Sequence, residues 1–319
     1  MVGDVRDLTD HKKQLLEEIR ERREYLQFLD GLREKYPRTL PAEYVFEKML
    51  QKRARREDAL PTGVEWWDEF AGPLRRGNVY VIAGYPGAGK TTLAINLAWG
   101  FARRGIPTWY YCLELMAEEV FEVLGGHIMK KAVLSDADET QAYAVIQPSG
   151  FRFFDPGGYM PWQKHLEVVS DNVRQQKIQV LFIDNFGFLA RVGKNTYETE
   201  NMLSSRIKGL AQELEIPIVL IHHLRKPESD EREPKPTAHA MRGSSAVLAD
   251  ASDAFVLHHP LSGDEIQSRQ PVGYILSGKP RWGLGGLRYV RLEGSQRTYY
   301  PAVSSEFRDR KGGAMNYGG

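Results

Sequence analysis

Between Asn78 and Leu97 the chain reads NVYVIAGYPGAGKTTLAINL. Val79 to Ile82 form a short apolar run with strand character, a glycine-rich turn follows, and a helix opens at Lys90–Thr91. No other stretch restricts the fold so tightly, because a buried strand, a turn that needs glycine and a helix must follow one another without a break. The turn, Gly84-Tyr85-Pro86-Gly87-Ala88-Gly89-Lys90-Thr91, fits the pattern G-x-x-x-x-G-K-[ST]. Its glycines let successive backbone N–H groups curl round a polyphosphate without an obstructing Cβ, and the helix adds its positive end. Lys90 supplies a point charge for the β- and γ-phosphates, and the Thr91 hydroxyl can ligate Mg²⁺. The expectation is a nucleoside-triphosphate site built from Gly84, Pro86, Gly87, Ala88, Gly89, Lys90, Thr91 and Thr92, with ATP or another nucleoside triphosphate and Mg²⁺ as ligands.

The 319 residues suffice for one full α/β domain with an appendage. Forty-three basic and 42 acidic side chains leave a formal net charge of +1. A global pull towards nucleic acid is thus excluded, and any such contact must come from local loops. The single cysteine, Cys112, excludes an internal disulfide framework and suits a reducing compartment. It lies in an apolar run, which favours a buried strand thiol over a nucleophile. No apolar run approaches the ~20 residues needed to span a bilayer, and the charged N-terminus does not resemble a secretory signal. A cytoplasmic protein with no membrane contact is expected.

Residues 1–60 differ from the rest. Leu15, Leu16, Ile19, Leu26 and Leu29 recur at helical spacing among dense charges, and a second helix opens behind Pro41 through Tyr44, Val45, Met49 and Leu50. Such stripes must pack on something, either the chain's own ATPase domain or a neighbouring subunit. The basic cluster Lys52 to Arg56 is better read as a solvated helix end than as a nucleic-acid contact. From Leu60 the chain is turn-rich, with Trp66, Trp67 and Phe70 as packing anchors. Strands are then expected over 106–115, 151–154, 178–183, 216–221, 254–257, 272–276 and 287–292, the last two as a terminal hairpin. Helices are expected over 116–129, 162–176 and 198–214. The strand at Ile178–Ile183 closes in Asp184, which would hold the Mg²⁺ water shell where parallel sheets place their ligands. The strand at Ile216–Ile221 closes in His222–His223, whose side chains must point to opposite faces, so they are poor joint zinc ligands. One ring is expected to face the nucleotide while the other packs; His258–His259 default to a structural role. Residues 225–246 are proline-rich, charged and aperiodic, as functional loops are. There Arg242-Gly243-Ser244-Ser245 offers a cation, flexible amides and hydroxyls suited to a phosphodiester backbone.

The order of these motifs resembles the RecA-like ATPase domain of the hexameric replicative DNA helicases, both DnaB-type enzymes and, closer in motif, the helicase halves of phage primase–helicases and mitochondrial Twinkle. The likeness covers roughly residues 61 to 300. Thr62-Gly63 through Arg76-Gly77 is similar to the family's lead-in, Cys112-Leu113-Glu114-Leu115 to its S-L-E-M, and Ile183-Asp184-Asn185 to its I-D-N. The resemblance places the catalytic glutamate on Glu114 and a γ-phosphate-sensing side chain on His223. Arg242-Gly243-Ser244-Ser245, followed by Ala249-Asp250-Ala251-Ser252-Asp253, resembles the family's R-[EG]-S-[GA]…Q-[DE]-A-D, which puts the single-strand-binding loop just before Ser245. Lys279-Pro280-Arg281 resembles the K-x-R element, in which Arg281 would act as a finger in trans on the neighbouring subunit's nucleotide and Lys279 would lie at the same phosphates.

The fold implied is α/β, a RecA-like P-loop NTPase with a central, mostly parallel sheet flanked by helices and preceded by a short helical segment. Residues 1–60 would form an extended linker helix gripping the next subunit, 61–305 the ATPase domain and 306–319 a disordered tail. No primase, zinc-binding module or globular N-terminal domain of the DnaB type is read. Arg191, Lys194, Lys235 and Arg242 are the expected nucleic-acid contacts. The implied activity is ATP-driven translocation on single-stranded DNA by a homo-hexamer or similar ring, with a primase or helicase loader as further partners. Two alternatives stand beside it: a RecA-like repair ATPase that does not unwind processively, and a switch ATPase that ignores DNA.

Overall fold

Strand β1 (Val79–Gly84) is buried along its whole length and lies near the middle of a sheet that continues in register on both sides. The computed structural model describes residues 42–54, 59–157, 160–190, 196–224, 246–259, 272–278 and 285–306. The chain divides into two units, Met1–Asp58 and Ala59–Gly319. In the first, the helix expected behind Pro41 is α1 (Ala42–Ala54); the helix expected before it, like the tail beyond residue 306, lies outside the described residues.

The second unit opens with α2 (Glu65–Ala71), followed by β1, α3 (Lys90–Ala102), β2 (Thr108–Cys112), α4 (Ala117–Met129), α5 (Asp136–Ile146) and β3 (Phe151–Phe154). It continues through α6 (Trp162–Gln175), β4 (Val180–Asp184), α7 (Phe186–Ala190), α8 (Thr196–Leu214) and β5 (Ile218–His223). After α9 (Ala246–Asp250) come β6 (Asp253–His258), β7 (Val272–Ser277), β8 (Leu287–Glu293) and β9 (Thr298–Pro301). The described strands form one sheet in the order β3-β2-β4-β5-β1-β6-β7-β8-β9. Pairings from β3 to β6 are parallel, and those from β6 to β9 are antiparallel.

Side chains alternate across the parallel strands and divide the core in two. Tyr80, Ile82, Tyr110, Phe182, Val219 and Phe255 face α3, whose Leu93, Leu97 and Phe101 fill that layer. Val81, Trp109, Tyr111, Leu181, Ile183 and Leu220 face the other way, towards Val169 and Val173 of α6 and Leu203 and Ile207 of α8. Each large side chain buried in this way contributes about 2–3 kcal/mol. Trp67 of α2 packs its ring 4.8 Å from that of Phe255, so the aromatic anchors of the lead-in close the first layer. Cys112 is a buried strand thiol.

Several features differ from the sequence reading, among them helices at Glu65–Ala71 and Phe186–Ala190 and three departures with a clear cause. Residues 136–146 are helical, and the signal was present: Ser135 accepts from the Asp138 N–H while the Asp138 carboxylate accepts from the Ser135 N–H, a capping box at S-x-x-D. The strand expected over 106–115 is only Thr108–Cys112, because both Leu113 and Glu114 turn their N–H groups onto the Asp184 carbonyl. The terminal hairpin gains a third strand, β9, fastened by polar side chains rather than by an apolar stripe. Asn96 of α3 donates to the Arg297 carbonyl at 3.0 Å and accepts from the Tyr299 N–H at 2.9 Å. The Thr298 hydroxyl donates to the Gln296 carbonyl at 2.7 Å, so it accepts from Lys130 at 2.9 Å and from Nδ1–H of His127 at 2.8 Å.

Burial, reinforced by the positive charges of Lys130 and Arg103, pushes the His127 pKa down to about 3. The unfolded chain therefore takes up a proton at this residue near pH 6.5 that the folded chain refuses, and stability falls as pH drops below that value. Between pH 7 and pH 5 the expected loss from this one group is about 2 kcal/mol. Thermal melting of H127Q should lose correspondingly less on the same acidification; an equal loss in both proteins would show that this imidazole is not held neutral.

Candidate functional site

The carboxyl ends of β1, β2, β4 and β5 come together because the parallel register aligns them: Cys112 lies beside Asp184, and Gly84 beside His223. One carbonyl does much of the joining. The Asp184 C=O accepts from Leu113 N–H at 2.7 Å and from Glu114 N–H at 3.1 Å, which carries Glu114 off the end of β2 to stand over β4.

The Asp184 side chain is buried. Its Oδ2 accepts from the Tyr110 hydroxyl at 2.8 Å, while its Oδ1 is buried without a hydrogen bond. Burial raises its pKa; Thr91, Tyr110 and Lys90 oppose that rise, and Glu114 adds to it. Lys90, the first residue of α3, is also buried, and its ammonium donates to the Tyr85 carbonyl at 2.9 Å inside the loop. Burial lowers its pKa to about 8 against the pull of Asp184 and Glu114. A buried ammonium of this kind gains from any anion that enters the loop.

Glu114 is held from two sides. His223 Nε2 lies 3.2 Å and 3.1 Å from its two carboxylate oxygens, and the Asn185 amide donates to Oε2 at 2.5 Å. His223 is the largest cause of its lowered pKa, ahead of Asn185 and Lys90, so the group is held as an anion. Asn185 is itself fixed, its Oδ1 accepting from the Phe188 N–H at 3.2 Å. His222 turns to the opposite face, buried against the Phe186 ring at 5.8 Å.

The residues present suit Mg²⁺. A buried carboxylate oxygen without a hydrogen bond, with the Thr91 hydroxyl beside the same carboxylate, is a fitting donor set for a hard cation that keeps most of its ligands as water and phosphate oxygen. Among the described residues no group of three or more His, Cys, Asp or Glu side chains could hold a metal.

Lys90, Thr91, Glu114, Asp184 and His223 are thus brought to one edge of the sheet, around the loop from Gly84 through Pro86, Gly87, Ala88 and Gly89 to Thr92. Arg191, Lys194, Lys235, Arg242, Gly243, Ser244, Lys279 and Arg281 lie outside the described residues. Sequence reasoning missed two participants. Tyr110 shares a sheet face with Cys112, one strand away from Asp184, but reads as plain apolar strand. Asn185 was quoted only as part of a motif, and its task depends on where Glu114 comes to rest.

A family model described as "DnaB-like helicase C terminal domain" matches residues 59–295. The chain is 29% identical over 239 residues to the replicative DNA helicase DnaB of Treponema pallidum, covering 68% of this chain and 52% of that protein. It is 28% identical over 212 residues to a probable plasmid replicative DNA helicase of Chlamydia muridarum, covering 61% of this chain and 46% of that protein. The chain thus spans about half the length of these curated relatives. A solved DnaB-like replicative helicase, described with its interactions with primase, superposes with a TM-score of 0.65 at 18% identity, over 95% of this chain and 81% of that one. The RecA-like fold, the mostly parallel sheet and the match over most of the second unit lead to one assignment: this chain belongs to the DnaB-like helicase C-terminal domain family.

Proposed function

We propose that this chain is the motor of a replicative DNA helicase, which hydrolyses ATP between subunits of a ring and uses the energy to move along single-stranded DNA. The observation that carries the hydrolytic part is the Glu114 carboxylate, clamped by His223 and Asn185 beside the buried pair Lys90 and Asp184. This pairs a base for water with a site for the charge of the phosphates. Neither a repair ATPase without processive unwinding nor a switch ATPase is favoured by the family match.

The chain's own groups divide the work. Backbone N–H groups of the loop and the Lys90 ammonium hold and orient the phosphates. Mg²⁺, when held by Thr91 and the Asp184 carboxylate, would neutralise charge on the transferred phosphoryl group. Glu114 accepts the proton of the attacking water as the γ-phosphate leaves ADP. His223 touches the same carboxylate and ends the strand that leads towards residues 225–245, so a change at the γ-phosphate is passed to the segment proposed to grip DNA through Lys235, Arg242, Gly243 and Ser244. Arg281, with Lys279, would act on the nucleotide of the next subunit, which makes hydrolysis depend on assembly. Arg191 and Lys194 are proposed as further backbone contacts. A primase is a candidate partner, since one solved relative is described together with its primase. Among the described residues no helix is long and apolar enough to cross a membrane; a place in the cytoplasm is part of the proposal.

The experiment is ATP turnover measured with and without single-stranded DNA across protein concentration. Cooperative dependence on protein concentration together with stimulation by DNA is expected, and R281A should remove both while leaving nucleotide binding intact. Turnover flat in both variables would overturn the motor reading. A second test addresses the clamp. E114Q should lower kcat by at least ~100-fold, as expected for loss of a general base, and N185A by roughly tenfold through misplacement, with KM for ATP nearly unchanged in both. A wild-type kcat in N185A would mean that Asn185 does not position the base.

A further inference from the structure

Behind the phosphate loop, on the side away from Glu114 and Asp184, lies a buried polar chain that the hydrolytic scheme does not use. The Tyr299 hydroxyl of β9 donates to the Ala88 carbonyl at 3.1 Å, and His259 Nε2 lies 3.1 Å from the same hydroxyl. A hydroxyl has one proton, and here it goes to Ala88; His259 must therefore donate its Nε2–H to the tyrosine oxygen. All three groups are buried, and the imidazole is held neutral by that burial.

The peptide that joins Ala88 to Gly89 is planar and trans, so its carbonyl and its N–H point in opposite directions. Fixing the Ala88 carbonyl on Tyr299 turns the Gly89 N–H the other way, to the side on which a phosphate loop receives its anion. That N–H has no acceptor among the described residues. Gly89 itself is shaped by the same contact. Its φ is +85°, and a Cβ there would stand 2.3 Å from the Tyr299 hydroxyl. Glycine is required both for the left-handed turn and to admit the tyrosine. Tyr299 cannot drift, because its own N–H is held by Asn96 of α3, the helix into which the loop runs.

We propose that Tyr299 is a positioning residue for nucleotide binding: it sets the orientation of the Ala88–Gly89 peptide and so aims the Gly89 N–H at the phosphates, with His259 holding the hydroxyl in place. This rests on the reading of the loop as an ATP site. A contact that only held β9 down would affect stability and leave phosphate affinity untouched. A contact to the base or ribose would affect ATP but not a ligand that lacks both.

The test is Tyr299→Phe in the full chain, with affinities for ATP and for inorganic pyrophosphate measured by titration calorimetry well below the melting temperature. The wild-type chain must bind both ligands; if it binds neither, the ATP-site reading fails, and this proposal with it. Given that binding, Y299F is expected to weaken both by the same factor, about fivefold, as for loss of one neutral buried hydrogen bond. Unchanged affinity for both, with a lowered melting temperature, would overturn the proposal and leave Tyr299 a structural anchor. Loss confined to ATP would also overturn it. Should Y299F not fold, His259→Ala, which leaves the hydroxyl tethered only to Ala88, should weaken both ligands by about two- to threefold, and unchanged affinities would again overturn the proposal.

Discussion

A carboxylate at the end of a wholly buried strand is costly unless its surroundings answer it, and Asp184 is the group on which this sheet edge turns. Its Oδ2 is met by Tyr110, its charge by Lys90, and its backbone carbonyl by two N–H groups from the chain leaving β2. Each compensation also places something useful. Tyr110 fixes the carboxylate so that Oδ1 faces away from it, and the two N–H groups bring Glu114 across. The same register that pairs Cys112 with Asp184 therefore brings the two carboxylates to one place, although 70 positions separate Glu114 from Asp184 in the sequence.

The parts of this arrangement legible in the sequence are those whose geometry is local. The loop from Gly84 to Thr91 carries its strand, its turn and its helix in one run, so spacing alone shows which residues the turn gathers. Asp184 declared itself by closing an apolar run, and His222–His223 by the alternation that forces one ring outwards and the other inwards. The inward ring packs on Phe186 and the other meets Glu114. What stayed hidden depends on contacts across the fold. Asn185 looks like the residue after an aspartate until Glu114 arrives from β2. Helix α5 buries little beyond Ala142 and Ile146 on its apolar side, and only its capping box betrays it. Tyr299 is 211 positions from Ala88, on a strand too short to show a period.

The two faces of the sheet show how one pattern serves two demands. A parallel strand covered on both sides carries no polar alternation to read, so strand existence was legible but facing was not. The structure resolves this by size and shape. Leu93, Leu97 and Phe101 from one helix fill one layer, and the rings of Trp109, Tyr111 and Phe154 pack together at tilted and edge-on angles in the other, with centroids 4.8 to 5.6 Å apart. The helix that receives the phosphate loop is therefore wedged in place by packing before any ligand binds, which spares the cost of ordering it at that moment.

The Asn96 amide has a consequence beyond fastening β9. A strand at the margin of a sheet presents unpaired N–H and C=O groups that another chain can extend by pairing. Here the Tyr299 N–H and the Arg297 carbonyl are both engaged by one side-chain amide, which imitates the next strand and ends the ladder. That margin offers no template for strand addition at these residues. A second copy of this chain thus finds neither this N–H nor this carbonyl open to pairing, since both hydrogen bonds are already made within the fold.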